Sequence, residues 1–142
     1  MNNKEFKELV MARYSCRDFN EEKVSDLDIE KIIELARFSP SACNSQPWQL
    51  IYTTEEEKLE KITKCLQDNN HNLFLSKAKG YIALVETEAE LKESISGRFS
   101  STHFVKYDIG EMIAYITLTA KSMGIDTCII GWINEEINNV LG

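Results

Sequence analysis

Two short stretches carry side chains whose types and spacing suit a bound phosphate and a planar polar ring. The first is RYSCRDF at 13–19, where Arg13 and Arg17 stand four positions apart with the Ser15 hydroxyl between them. A guanidinium is permanently charged, and its planar fork can bond phosphate oxygens in pairs. If the first helix runs this far, the spacing puts both arginines on one face, and a turn would equally let Ser15 join them around a phosphate. The same residues also read as a solvated cationic helix end favoured by the macrodipole. The second stretch is SPSACNSQPW at 39–48, which holds both prolines of the chain, Pro40 and Pro47. Each fixes its own φ, removes a donor and biases the preceding residue toward extended backbone. That leaves Ser41, Asn44, Ser45 and Gln46 as a stiffened row of donors and acceptors able to read a ring edge. An ordinary helix-to-strand connection is the alternative.

The elements that must position these stretches follow from apolar periodicity and capping signals. Phe6, Leu9 and Val10 predict a short amphipathic helix that feeds the arginine segment. Ser25 with Asp28 predicts a capping box for a second helix carrying Ile29, Ile32, Ile33 and Ala36 and stopping at Pro40. Residues 48–52 read as a strand, Thr54 with Glu57 as a second capping box before Leu59, Ile62 and Leu66, and residues 81–85 as a buried strand. Residues 86–107 are polar without a clear period, so a lid and a connector both stay open. A helix over 108–123, apolar on nearly all sides, belongs in the domain centre or at a subunit interface, with Gly124 at its C′ position. A strand over 127–130 and a last helix capped by Asn134 and ending at Gly142 complete the chain. This order predicts an α+β fold with helices on both sides of a mixed, mostly antiparallel sheet.

Composition narrows the function classes. A length of 142 residues, 43% of them apolar, supports one domain with a real core. Against 16 basic residues stand 23 acidic ones, a net charge of −7, which argues against nucleic acid as main partner. Cys16, Cys43, Cys65 and Cys128 show no CxxC spacing, and His71 and His103 stand apart, so neither a zinc site nor a thioredoxin-like motif is encoded. Scattered cysteines without a signal peptide fit a reducing cytoplasm. The longest apolar stretch, 109–123, is interrupted by Glu111, Thr117, Thr119 and Lys121 and falls short of a bilayer span.

Taken in order, RxSxRxF, SPSxxNxQPW and an apolar helix that opens with Asp108 and closes in GIDTCIIGW at 124–132 resemble the FMN-dependent nitroreductase family over essentially the whole chain. The resemblance implies a nitroreductase-like α/β/α sandwich and a homodimer with two FMN sites at the subunit interface, each built from both chains. It places Arg13, Ser15 and Arg17 on the FMN phosphate and ribityl chain, with Tyr14 contributing mainly backbone. Pro40, Ser41 and Asn44 would approach the same flavin from the second chain. Ile130 and Gly131 match the segment whose backbone lies near the flavin N5 edge, where a glycine permits close approach; a plain buried strand end is the other reading of CIIG. The implied activity passes hydride from NAD(P)H through flavin N5 to a nitroaromatic, quinone or similar acceptor. No side-chain general base is evident, and no residue following a dinucleotide fingerprint distinguishes NADH from NADPH. A reductive dehalogenase, a flavin-consuming enzyme and a non-catalytic flavin-binding protein are the alternatives. On this resemblance residues 1–142 form a single FMN-binding domain lacking the family's usual C-terminal strand and basic segment.

Overall fold

The computed structural model describes residues 2–131, 133 and 136–141. Its first helix, α1 (Asn3–Ala12), begins with a capping box: the Asn2 side chain accepts the Glu5 N–H at 3.0 Å, and the Glu5 carboxylate accepts the Asn2 N–H at 2.7 Å. The helix ends at Ala12, because Arg13 turns into extended backbone (φ −71°, ψ 123°). The arginine segment therefore lies outside the helix. α2 (Asp26–Ala36) starts as its sequence predicts, with Ser25 and Asp28 capping one another, an arrangement worth about 1 kcal/mol.

Strands β1 (Trp48–Thr53) and β2 (Tyr81–Glu86) pair antiparallel in a two-stranded sheet, with Leu50 opposite Leu84 and Tyr52 opposite Ile82. Side chains alternate across a strand, so this register sends Trp48, Leu50, Ile82 and Leu84 to one face. There they meet Ile32 and Ala36 of α2 and Met112, Ile116 and Ala120 of α5 (Val105–Ser122). Tyr81 belongs to the other face and packs with Ile62 and Leu66 of α3 (Glu56–Leu66), Leu75, and Ile137 of α6 (Ile137–Leu141). Helices thus cover both faces, as an α+β sandwich requires.

Several details differ from the sequence reading. Thr54 does not cap α3. Its hydroxyl donates to the Asp26 carboxylate at 2.6 Å, tying the loop back to α2, and Glu55 takes the N-cap position without a side-chain bond. α5 starts almost a turn before Asp108, so that residue is buried inside the helix and does not open it. Residues 127–130 form no strand: Thr127 makes one isolated parallel bridge to Ser15, and without further ladder partners the segment stays irregular. Among the described residues, parallel pairing is therefore confined to that bridge.

Between β2 and α5 the polar stretch holds one helical turn, α4 (Glu93–Ser96), and a cluster of the Phe99, His103 and Phe104 rings, whose centroids lie 4.5–5.1 Å apart. Ala89 is buried there and donates its N–H to the Ser101 carbonyl at 3.1 Å. The sequence expectations for Trp132, Asn134 and Gly142 fall outside the described residues. Among the described residues, no helix is long and apolar enough to cross a membrane.

Candidate functional site

The arginine segment is presented by extended chain. Ser15 bridges Thr127, and the Cys16 N–H donates to the Thr127 carbonyl at 3.0 Å. The extended backbone at Arg13 and the bridge at Ser15 take this segment out of the helix, so helical spacing does not describe how Arg13, Ser15 and Arg17 are presented. The intervening Cys16 is 3% exposed and serves the core. Among the described residues, neither guanidinium has a carboxylate partner, although acidic residues outnumber basic ones in this chain, and Arg17 makes a long 3.5 Å contact to the Ser15 carbonyl. Nearby carboxylates are engaged elsewhere, Asp18 with Lys77 at 3.6 Å and Asp126 with Lys121 at 2.6 Å. A local pair of uncompensated cations is what a bound anion needs.

Segment 124–131 lies beside it because of how α5 ends. Gly124 adopts φ +78°, and the Ile125 and Gly124 N–H groups return to the Ala120 and Lys121 carbonyls at 2.9 and 3.0 Å. This Schellman closure needs a left-handed residue, the conformation glycine adopts without steric cost. Lys121 then reaches from the last turn to Asp126 and lies 5.4 Å from the Tyr14 ring centroid, a cation–π contact joining the two segments. The Tyr14 hydroxyl faces the Cys16 sulfur at 3.7 Å, and that contact, with Asp126 nearby, raises its pKa above the ordinary phenol value. Ile130 packs on the α3 cluster, whereas Gly131 is exposed, and a Cβ added there would meet nothing within 4 Å.

Loop 39–48 sits at the other end of α5. Pro47 is fully buried, Ser39 is nearly so, and residues Ala42–Asn44 form a 3₁₀ turn. Cys43, Asn44 and Gln46 have φ of 57°, 54° and 48°, left-handed values that residues other than asparagine and glycine rarely adopt. The Ser41 hydroxyl accepts the Gln46 N–H at 3.0 Å, and the Asp108 carboxylate accepts the Ala42 N–H at 3.1 Å. Asn44 and Pro40 are exposed and Ser41 half-buried. Among the described residues, no hydrogen bond or ion pair joins this loop to Arg13, Ser15 or Arg17. Asp108 and Lys121, which anchor the two regions, are separated by roughly 20 Å along the helix at 1.5 Å per residue.

Two cavities lie within the chain. One of about 710 Å³ runs between the sheet, α5 and the segment after Gly124, lined by side chains such as Ile51, Ile82, Ile113 and Ile130. Another of about 460 Å³ lies over α3 among Lys23, Glu60, Lys64 and Lys79. Cys16 and Asp18 of the arginine segment and residues 127–130 line the 710 Å³ cavity, whereas neither cavity includes Arg13, Arg17 or Ser41. Two features escape the sequence reading. Asp108 appears there as a helix opener, although a carboxylate spaced with Val105, Met112 and Ile116 occupies the apolar stripe; the left-handed residues Cys43 and Gln46 give no such signal.

The model of the Nitroreductase family matches residues 10–81. An oxygen-insensitive NADPH nitroreductase of Helicobacter acinonychis is 35% identical over 63 residues, 44% of this chain but only 30% of that protein. Among solved structures, a BluB-like flavoprotein from Clostridium difficile 630 superposes with a TM-score of 0.77 at 22% identity, over 96% of this chain and 80% of the other. An FMN-dependent nitroreductase from Clostridium difficile R20291 gives a TM-score of 0.69 at 26% identity, over 93% and 62%.

Proposed function

This chain belongs to the nitroreductase family, and from that premise we propose that it is an FMN-dependent oxidoreductase drawing electrons from NAD(P)H and delivering them to nitroaromatic, quinone or similar acceptors. The observation that carries the reading is the Ser15–Thr127 bridge, which sets the segment bearing Arg13 and Arg17, without a carboxylate partner among the described residues, beside the segment that leads to Gly131. These residues fit FMN: a phosphate would complete the charge of Arg13 and Arg17 and accept from the Ser15 hydroxyl. The open space at Gly131 leaves its backbone approachable by a ring, although neither the packing nor the φ of this residue calls for glycine. When bound, the flavin supplies the hydride chemistry. The chain's own residues bind the phosphate, hold the ring edge, and orient backbone N–H groups toward it.

Homodimerisation belongs to the same proposal. α1 buries none of its residues and leaves Phe6, Val10 and Met11 exposed, while Tyr107 of α5 is 70% exposed, an apolar surface suited to a second copy. A twofold pairing can bring the loop of one chain to the arginine segment of the other, so that Pro40, Ser41 and Asn44 share one flavin with Arg13, Ser15 and Arg17. Tyr14, Ile130 and Gly131 complete the proposed contact set. The four free thiols fit a reducing cytoplasm.

The absorption spectrum of the pure protein with added FMN tests the cofactor. Anaerobic NADH or NADPH should then bleach the flavin, and a nitroaromatic or quinone should restore its colour. Bound flavin that resists both nicotinamides would point instead to a non-catalytic flavin-binding protein, and failure to bind FMN would overturn the reading.

A further inference from the structure

The α5 stripe that faces the core reads Val105, Asp108, Met112, Ile116 and Ala120, with Asp108 only 5% exposed. Burying a carboxylate is unfavourable unless its oxygens are well partnered. Here one oxygen accepts the Ala42 N–H at 3.1 Å, and the other is buried without a partner. An apolar residue would serve the core better, so the carboxylate has a purpose outside core packing. Its bond lands at the start of the 3₁₀ turn, immediately before Cys43 and Asn44, and the Ser41–Gln46 bond closes the same loop from the other end. The loop between these anchors contains left-handed backbone at Cys43, Asn44 and Gln46, conformations that persist only where the surroundings over-determine them.

We propose that Asp108 is a positioning residue for ligand binding: its buried carboxylate ties Ala42 to α5 and so holds residues 41–46 in the conformation from which Ser41 and Asn44 meet the flavin. The proposal rests on the FMN reading for the identity of the ligand, but not for the existence of the clamp. Ala42 donates and Asp108 accepts, so asparagine, which keeps an acceptor oxygen at the same place, can replace the carboxylate, whereas leucine cannot.

The test compares Asp108→Leu, Asp108→Asn and the wild-type protein by amide hydrogen exchange of the ligand-free protein, thermal unfolding and FMN titration. Asp108→Leu should fold with an unchanged or higher Tm, lose protection at the Ala42 and Gln46 amides, and bind FMN about tenfold more weakly or worse. Asp108→Asn should restore both protection and affinity. Should the leucine variant fail to fold, Ala42→Pro removes the donor instead. Proline suits the first position of the turn and the extended Ser41 before it (φ −151°, ψ 154°), leaving the turn formed but untied from α5. It should weaken FMN in the same way. Unchanged exchange and affinity in Asp108→Leu overturn the proposal, as does an FMN loss that follows unfolding equally in the leucine and asparagine variants. Wild-type protein that binds no FMN would overturn the flavin reading, and exchange at Ala42 and Gln46 would still decide for or against the clamp.

Discussion

Asp108 and Lys121 stand near opposite ends of α5, roughly 20 Å apart, and each anchors a different part of the proposed site. Asp108 receives the Ala42 N–H of the proline-bounded loop, while Lys121 bonds Asp126 and lies over Tyr14 of the arginine segment. One helix therefore fixes both surfaces while keeping their anchors apart within one chain.

The phosphate assignment predicts a preference for FMN over riboflavin. Replacing Arg13 or Arg17 by alanine should weaken FMN by about 1.5–3 kcal/mol, the worth of a charge-assisted hydrogen bond, and leave riboflavin binding nearly unchanged. Fluorescence titration with both ligands measures it. Equal loss for the two ligands would sink the assignment.

Gly131 separates folding from ligand binding. Its φ lies outside the left-handed range and an added Cβ meets nothing, so Gly131→Ala should leave the apo protein as stable as before or about 0.4–1 kcal/mol more so. If a flavin approaches this backbone, the same methyl group should weaken FMN or slow its reduction by NAD(P)H. Wild-type affinity and reduction rate in the variant would remove Gly131 from the site.

Much of this fold is legible in local sequence chemistry. Ser25 with Asp28 announces the α2 cap, and Gly124 the end of α5, because both signals act over a few residues. Long-range competition explains the misses: Thr54 has the spacing of a capping box, but its hydroxyl finds Asp26 instead. For 127–130 the apolar run suggests a strand, yet a strand exists only through its neighbours, and Thr127 finds just one bridge. At the candidate site, residue types suggest phosphate binding and helical spacing would set Arg13 beside Arg17, but α1 ends at Ala12. Extended backbone at Arg13 and the Ser15–Thr127 bridge present the segment instead. The role of Asp108 depends on a contact with Ala42, far away in sequence, and no local pattern encodes it.

Alkaline stability should depend on Tyr81. Burial pushes its hydroxyl pKa above the ordinary value near 10, and the hydrogen bond it shares with Thr63 at 2.7 Å pulls partly the other way. The folded chain thus keeps a proton that the unfolded chain releases, so this contribution is complete below about pH 10 and is lost as pH rises toward the folded pKa. Urea midpoints should fall as pH rises above about 10. Tyr81→Phe should lose about 1 kcal/mol at neutral pH and show a shallower alkaline decline. An equally steep decline in the variant would place the sensitive group elsewhere.

The two-chain site makes the most specific prediction. If Arg17 serves a flavin from one chain while Ser41 and Asn44 serve it from the other, Arg17→Ala and Ser41→Ala/Asn44→Ala each damage both sites of their own homodimers. In a twofold dimer carrying one chain of each kind, both defects fall in the same site and the other site is wholly normal. Refolding an equal mixture should make roughly half the dimers mixed and so recover about a quarter of wild-type sites. FMN titration counts these sites, and native mass spectrometry counts the mixed dimers. Because the clamp of Ala42 by Asp108 acts within a chain, adding Asp108→Leu to the Arg17→Ala chain should spoil the remaining normal site of the mixed dimer, whereas adding it to the Ser41→Ala/Asn44→Ala chain should leave that site intact. Mixed dimers confirmed by mass but without recovered flavin would mean that each site is built within one chain.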